Sequence, residues 1–127
     1  MFNVAHVLSP EMRAALAKHF FELNLKPTSS ASKDLVPAGK KIFEDGIPES
    51  NIPACASCHG PEAKGNGAFP RLAGQSDTYI QKALTTWDKV RGRDPEKPDN
   101  SAIMQPIAHG LTEPQIAAVA AYLDHLE

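Results

Sequence analysis

The chain has little of what several common functions require. Its 127 residues include two cysteines, Cys55 and Cys58, with no second cysteine-rich hook to complete a four-ligand structural zinc site. No apolar run approaches the ~18 residues of a membrane span. The N-terminus, Met1-Phe2-Asn3-Val4-Ala5-His6, lacks the basic and then apolar regions of a signal peptide. A formal net charge of -2 excludes a strongly basic nucleic-acid binder. The length suits one domain with a modest apolar core.

What is present is concentrated in one run, Cys55-Ala56-Ser57-Cys58-His59. Two thiols three residues apart with a histidine directly after them read as covalent attachment of a c-type haem. Each thiol can add across one haem vinyl group, and the enforced turn delivers His59 to the iron as proximal ligand. A thioredoxin-like motif would sit in a strand-helix-strand context, whereas helix and glycine-rich loop surround this one; a plain disulfide is the remaining alternative. Pro61 to Gly67 lacks the Gly-Lys-Ser/Thr ending of a phosphate loop and follows no strand, so it reads as a turn after the motif.

Four helical segments are expected, with no strand. The first has Ser9 as N-cap and Pro10 at its first position and runs to about Leu23. The second runs from about Asp34 to Asp45, with Pro37 in its first turn and Gly46 to stop it. The third starts at Ser76 and places Tyr79, Ile80, Ala83, Leu84 and Trp87 on one buried face. The last opens on a capping box of Thr112 and Gln115 and carries Ile116, Val119, Ala120, Leu123 and Leu126 on one stripe. Residues 1–26 therefore form an N-terminal helical segment, 27–33 a serine-rich linker, and 34–127 a haem domain.

Gly92 to Gly110 reads as a long irregular loop, and such loops are usually functional. It holds Met104, the one methionine after the haem motif. A thioether as sixth ligand would close the iron to substrates and raise its potential, which suits electron transfer. The alternatives are that Met104 fills a gap in the core and that His109, expected at the start of the last helix, is the ligand.

From about Asp34 to Glu127 the chain resembles a class I cytochrome c, above all one domain of the dihaem cytochrome c4 group and its c553-like relatives. The resemblance is carried by Gly39 and Phe43, Cys55 to Gly60, Phe69-Pro70-Arg71-Leu72-Ala73-Gly74-Gln75, Tyr79, Met104 before Pro106, and Ala121-Tyr122-Leu123. It implies an all-α class I cytochrome c fold wrapped around one covalent haem, here with an extra N-terminal helix. It implies that Pro70 offers its carbonyl to the His59 ring N–H. Gly39 and Phe43 would sit where the first and last helices of the domain cross, with Tyr122 opposite. Trp87, Arg91 and Arg93 are candidate propionate contacts, being donors without acceptor roles; Tyr79 is expected in the core.

The resulting expectation is an exported, periplasmic one-electron carrier with His59 and Met104 on the iron and transient redox protein partners. Because c-type haem is attached outside the cytoplasm, the chain is expected to be a mature or truncated form of an exported precursor. A haem module of a peroxidase or multi-haem oxidoreductase, or a gas sensor, would require an open iron position. Lys40, Lys41 and Lys64 read either as a docking patch or as solvated surface.

An offset of 103 residues, Met1 to Met104, aligns Ala5-His6 with Ala108-His109, Leu8 with Leu111, Ser9 with Thr112, and Ala14, Ala15, Ala17 and Leu23 with Ala117, Ala118, Ala120 and Leu126. On this repeat, residues 1–26 are expected to be the tail of a preceding haem domain, with Met1 at its former axial-ligand position; the alternative is a chance match between two alanine-rich amphipathic helices. The stripe Leu8, Met12, Leu16, Phe20 and Leu23 would then lack its partner and seek cover on the remaining domain or on a second copy of the chain.

Overall fold

The structure, a computed structural model, describes residues 2–23, 26–27, 29–91 and 100–127. Met1 and Arg93, the first an expected former ligand and the second an expected propionate contact, lie outside the described residues.

All regular structure among the described residues is helical: α1 (Phe2–Val7), α2 (Pro10–Glu22), α3 (Val36–Asp45), α4 (Ala56–His59), α5 (Asp77–Thr85), α6 (Trp87–Val90), α7 (Ser101–Gly110) and α8 (Glu113–His125). Short 3₁₀ turns occupy Lys33–Leu35 and Pro48–Ser50. The start signals act as expected. Ser9 Oγ accepts the Met12 N–H at 3.2 Å, and Ser76 Oγ accepts the Tyr79 N–H at 3.3 Å. Thr112 and Gln115 form the capping box, the Gln115 side chain accepting the Thr112 N–H at 2.9 Å. Gly46 ends α3 at φ +73°, a conformation that costs residues with a Cβ.

The core forms where α3 and α5 pack against α8. Phe43 and Leu123 are fully buried, and the Phe43 and Tyr122 rings meet at 5.4 Å between centroids. Each such apolar side chain contributes about 1.5–3 kcal/mol by leaving water. Gly39 permits the close crossing of α3 over α8, since a Cβ there would stand 1.9 Å from the Ala118 carbonyl oxygen. This is the crossing that the resemblance implies. The linker is fastened to α8 as well: Asp124, fully buried, accepts the backbone N–H groups of Ser30 and Ala31.

Four expectations need correction. The loop expected from Gly92 to Gly110 contains helix α7, in which Pro106 removes one backbone bond without ending a segment held by its apolar face. Met104, Ile107, Ala108 and Leu111 make that face at i, i+3, i+4 and i+7. His109 consequently lies in the last turn of α7 instead of at the start of α8. The third expected helix breaks at Thr86, where the Thr85 and Thr86 hydroxyls bond to the carbonyls of Gln81 and Lys82 at 2.8 and 2.7 Å and bend the chain. Tyr79 is 49% exposed because its place on α5 is one step round from the core-facing Ile80 and Leu84.

The N-terminal segment is two helices, and α2 has no buried residue. Their limits follow the 103-residue offset: α2 maps onto α8 end for end, and Ser9 maps onto Thr112. The α8 counterpart buries eight residues, Ile116 and Ala118 to Asp124, in its domain.

Candidate haem site

The site is built on one helical turn. The His59 and Cys58 N–H groups donate to the Cys55 carbonyl at 3.0 and 3.2 Å, so Cys55, Cys58 and His59 stand at i, i+3 and i+4 on one side of α4. The Ser57 hydroxyl donates to the Ala54 carbonyl at 2.6 Å and secures the turn, and Gly60 ends it at φ +82°. Downstream, Gly65 N–H returns to the His59 carbonyl at 2.9 Å, and Leu72 and Ala73 both donate to the carbonyl of the buried Ala63. That folded loop sets Pro70 beside the histidine.

His59 is buried, and its Nδ1 lies 2.9 Å from the Pro70 carbonyl oxygen. A carbonyl can only accept, so Nδ1 carries the proton and Nε2 keeps a lone pair for a metal. The Phe69 ring meets the imidazole at 71°, 6.0 Å between centroids, which further restricts its rotation.

All three motif side chains line one cavity of about 480 Å³, within the range of cofactor pockets. Its other walls include Phe69 to Leu72, Tyr79, Ile80, Ala83 and Leu84 from α5, Trp87 from α6, Ile103, Met104 and Ile107 from α7, and Val119 and Leu123 from α8. Thus Met104, nearly fifty residues from the motif, shares the cavity with His59. His109 does not line it; its Nε2 donates to the Asp88 carboxylate.

The donor set fits a covalent haem. Burial pushes the Cys55 thiol up to about 11, a mark of the dry wall on which the motif stands. An imidazole lone pair and a methionine thioether are a recognised axial pair for haem iron, and the walls around them are mainly apolar.

Among the expected propionate contacts, Trp87 and Arg91 both line the cavity. The Trp87 indole N–H, however, donates to the Ser101 carbonyl at 3.0 Å and is spent there. The Arg91 guanidinium lies over the Trp87 ring at 5.6 Å, a cation–π contact that keeps its charge at the cavity wall. Arg71 is a second cation in the lining, its Nε held by the Ala73 carbonyl at 3.1 Å. Sequence reasoning did not single out Arg71 for this; its position directly after Pro70 was the available signal. Lys40 and Lys41 instead form i,i+4 pairs with Glu44 and Asp45 on α3, and Lys64 pairs with Glu62. None of the three lysines lines the cavity.

Comparison with known proteins agrees with this construction. Residues 36–127 match the cytochrome c family model. Over 127 residues the chain is 37% identical to cytochrome c-552 of Acidithiobacillus ferridurans, covering 99% of this chain and 52% of that protein. It is 35% identical over 127 residues to the thiosulfate dehydrogenase electron acceptor of Thiomonas intermedia, covering 97% of this chain and 56% of that protein. The solved structure of cytochrome c4 from Acidithiobacillus ferrooxidans superposes with a TM-score of 0.78 at 36% identity, covering 99% of this chain and 70% of that one. The chain spans about half the length of these two curated relatives. With its helical fold, its Cys-x-x-Cys-His turn and these likenesses, the chain belongs to the cytochrome c family, whose members hold haem covalently.

Proposed function

We propose that this chain is a one-electron carrier whose haem is bonded to Cys55 and Cys58 and ligated by His59 and Met104. The observation that carries the reading is the convergence of these four side chains on one mainly apolar cavity. The haem, when bound, supplies the reversible ferric/ferrous couple. The residues around it set its terms. His59 donates through Nδ1 to Pro70, which fixes the tautomer and raises the basicity of Nε2. Met104 fills the position at which a substrate or gas would otherwise bind, which favours electron transfer over the enzyme and sensor readings. Among the described residues, Arg71 and Arg91 are the cations that line the cavity and could meet acidic groups, while Ile80, Leu84, Ile107 and Leu123 exclude water.

Partners in this reading are redox proteins that dock transiently. One relative is by name the electron acceptor of a thiosulfate dehydrogenase, which makes a dehydrogenase the favoured class of donor. Covalent haem attachment outside the cytoplasm favours a periplasmic location. Among the described residues no helix is long and apolar enough to cross a membrane. Residues 1–26 are read as the last helices of a preceding haem domain, 27–33 as the linker and 34–127 as the domain described here. The match of α2 to α8 and the roughly doubled length of the two relatives named above support that division. Without such a domain, the α2 stripe would favour self-association.

The test is the optical spectrum of purified protein in both oxidation states. A low-spin ferric form with the weak iron-to-methionine charge-transfer band, together with a ferrous form inert to carbon monoxide, is the expected result. Five-coordinate or high-spin iron would overturn the ligation and move the function toward an enzyme or sensor. Sequencing the parent gene tests the domain reading: an upstream region without a Cys-x-x-Cys-His motif would refute it.

A further inference from the structure

Resting on the ligation reading above, we infer that Asp88 is a positioning residue for Met104, acting through a side-chain clasp between α6 and α7. Two adjacent residues of α6 reach three successive turns of α7. The Trp87 indole N–H donates to the Ser101 carbonyl at 3.0 Å. The Asp88 carboxylate accepts from Gln105 Nε2 at 3.1 Å through Oδ1 and from His109 Nε2 through Oδ2. Ser101, Gln105 and His109 stand at i, i+4 and i+8, along one edge of α7. The adjoining face carries Met104 and Ile107 into the cavity.

The clasp matters because α7 is poorly held by itself. It is ten residues long, and Pro106 cannot donate to the Ala102 carbonyl, so the backbone ladder is interrupted beside Met104. The side chain of Asp88 bridges that interruption from outside, bonding to Gln105 just before the proline and to His109 three residues after it. Asp88, Gln105 and His109 are exposed and contribute nothing to the apolar core. Their consequence is local: they fix the rotation and the distance of α7 relative to the haem cavity, and hence how often the thioether leaves its place.

The test uses the holoprotein and exogenous imidazole as the competing ligand of the ferric iron. Imidazole can bind only when Met104 has left, so its apparent affinity reports the population of the open position. Asp88→Ala should raise that affinity by about tenfold, the scale of one charged and one neutral exposed hydrogen bond lost together. Gln105→Ala and His109→Ala should each give a smaller rise, and the double variant Asp88→Ala/His109→Ala should exceed Asp88→Ala little, since both remove the same bond. Asp88→Asn, with one acceptor left, should fall between. Lys41→Ala breaks a more exposed pair on α3, remote from α7, and should leave the affinity unchanged. An Asp88→Ala protein that binds imidazole like the unaltered one overturns the inference. Should that variant fail to fold, unchanged affinities in Gln105→Ala and His109→Ala have the same force. An unaltered protein without the methionine charge-transfer band overturns the ligation reading, and this inference with it.

Discussion

The Asp124 carboxylate and the Ser30 backbone N–H, 94 positions apart, meet at 2.7 Å, and Ala31 N–H joins the same oxygen at 3.0 Å. A buried carboxyl group in the last helix thus fixes where the linker leaves the domain. Replacing Asp124 by Ala should lower stability by about 1–3 kcal/mol, the usual cost of leaving hydrogen-bond donors without their acceptor. Asp124→Asn, which keeps an acceptor of the same shape, should lose less. Urea unfolding midpoints of the two variants check the order, and equal midpoints would assign the linker no such anchor.

Gly39→Ala should cost about 3 kcal/mol or more, because overpacking is destabilising and here the obstacle is backbone. The added Cβ would lie 1.9 Å from the Ala118 oxygen and 2.8 Å from the Tyr122 Cβ, so α3 and α8 must separate. Thermal unfolding of the holoprotein measures this. Ala at Gly67, where a Cβ meets nothing within 4 Å, should act only through its φ of +57° and cost less.

Met104→Ala should lower the reduction potential by on the order of 100 mV or more, since axial ligands set much of the range of haem potentials. The ferrous variant should also bind carbon monoxide. Potentiometry and a carbon monoxide difference spectrum are the measurements; a native potential with no carbon monoxide binding would return the ligand role to another residue.

Both Cys55 and Cys58 should be consumed in thioether bonds. The intact mass should equal polypeptide plus one haem, and acid-acetone should extract no haem. Cys58→Ser should leave one thioether and a shifted absorption spectrum, because a single vinyl group then stays conjugated.

Removing residues 1–26 should change the stability of the haem domain by no more than about 0.5 kcal/mol, as expected for exposed positions. No residue of α2 is buried, and Ser30 and Ala31, which hold the linker to Asp124, remain. The same deletion should reduce any concentration-dependent association driven by Met12, Leu16, Phe20 and Leu23, all at least 41% exposed. Sedimentation at several concentrations compares the two chains.

Much of this protein was determined by local sequence. Ser9, Ser76 and the Thr112–Gln115 pair start their helices through bonds spanning three residues, and Gly46 stops one through its own φ, so each is legible without a partner. Cys55, Cys58 and His59 are likewise local, since one helical turn sets all three on the same side. Helix α7 had a readable apolar period in Met104, Ile107, Ala108 and Leu111, but its proline spoke against a helix. Packing of that face overrode the single lost hydrogen bond. Only the tertiary structure decided that the Trp87 indole N–H meets Ser101, that Arg71 reaches the cavity wall, that Tyr79 stands outside the core, and that Asp88 spans α6 and α7. These outcomes depend on which helix face is covered by a distant segment, a balance of packing and hydrogen-bond satisfaction that no short window of sequence contains.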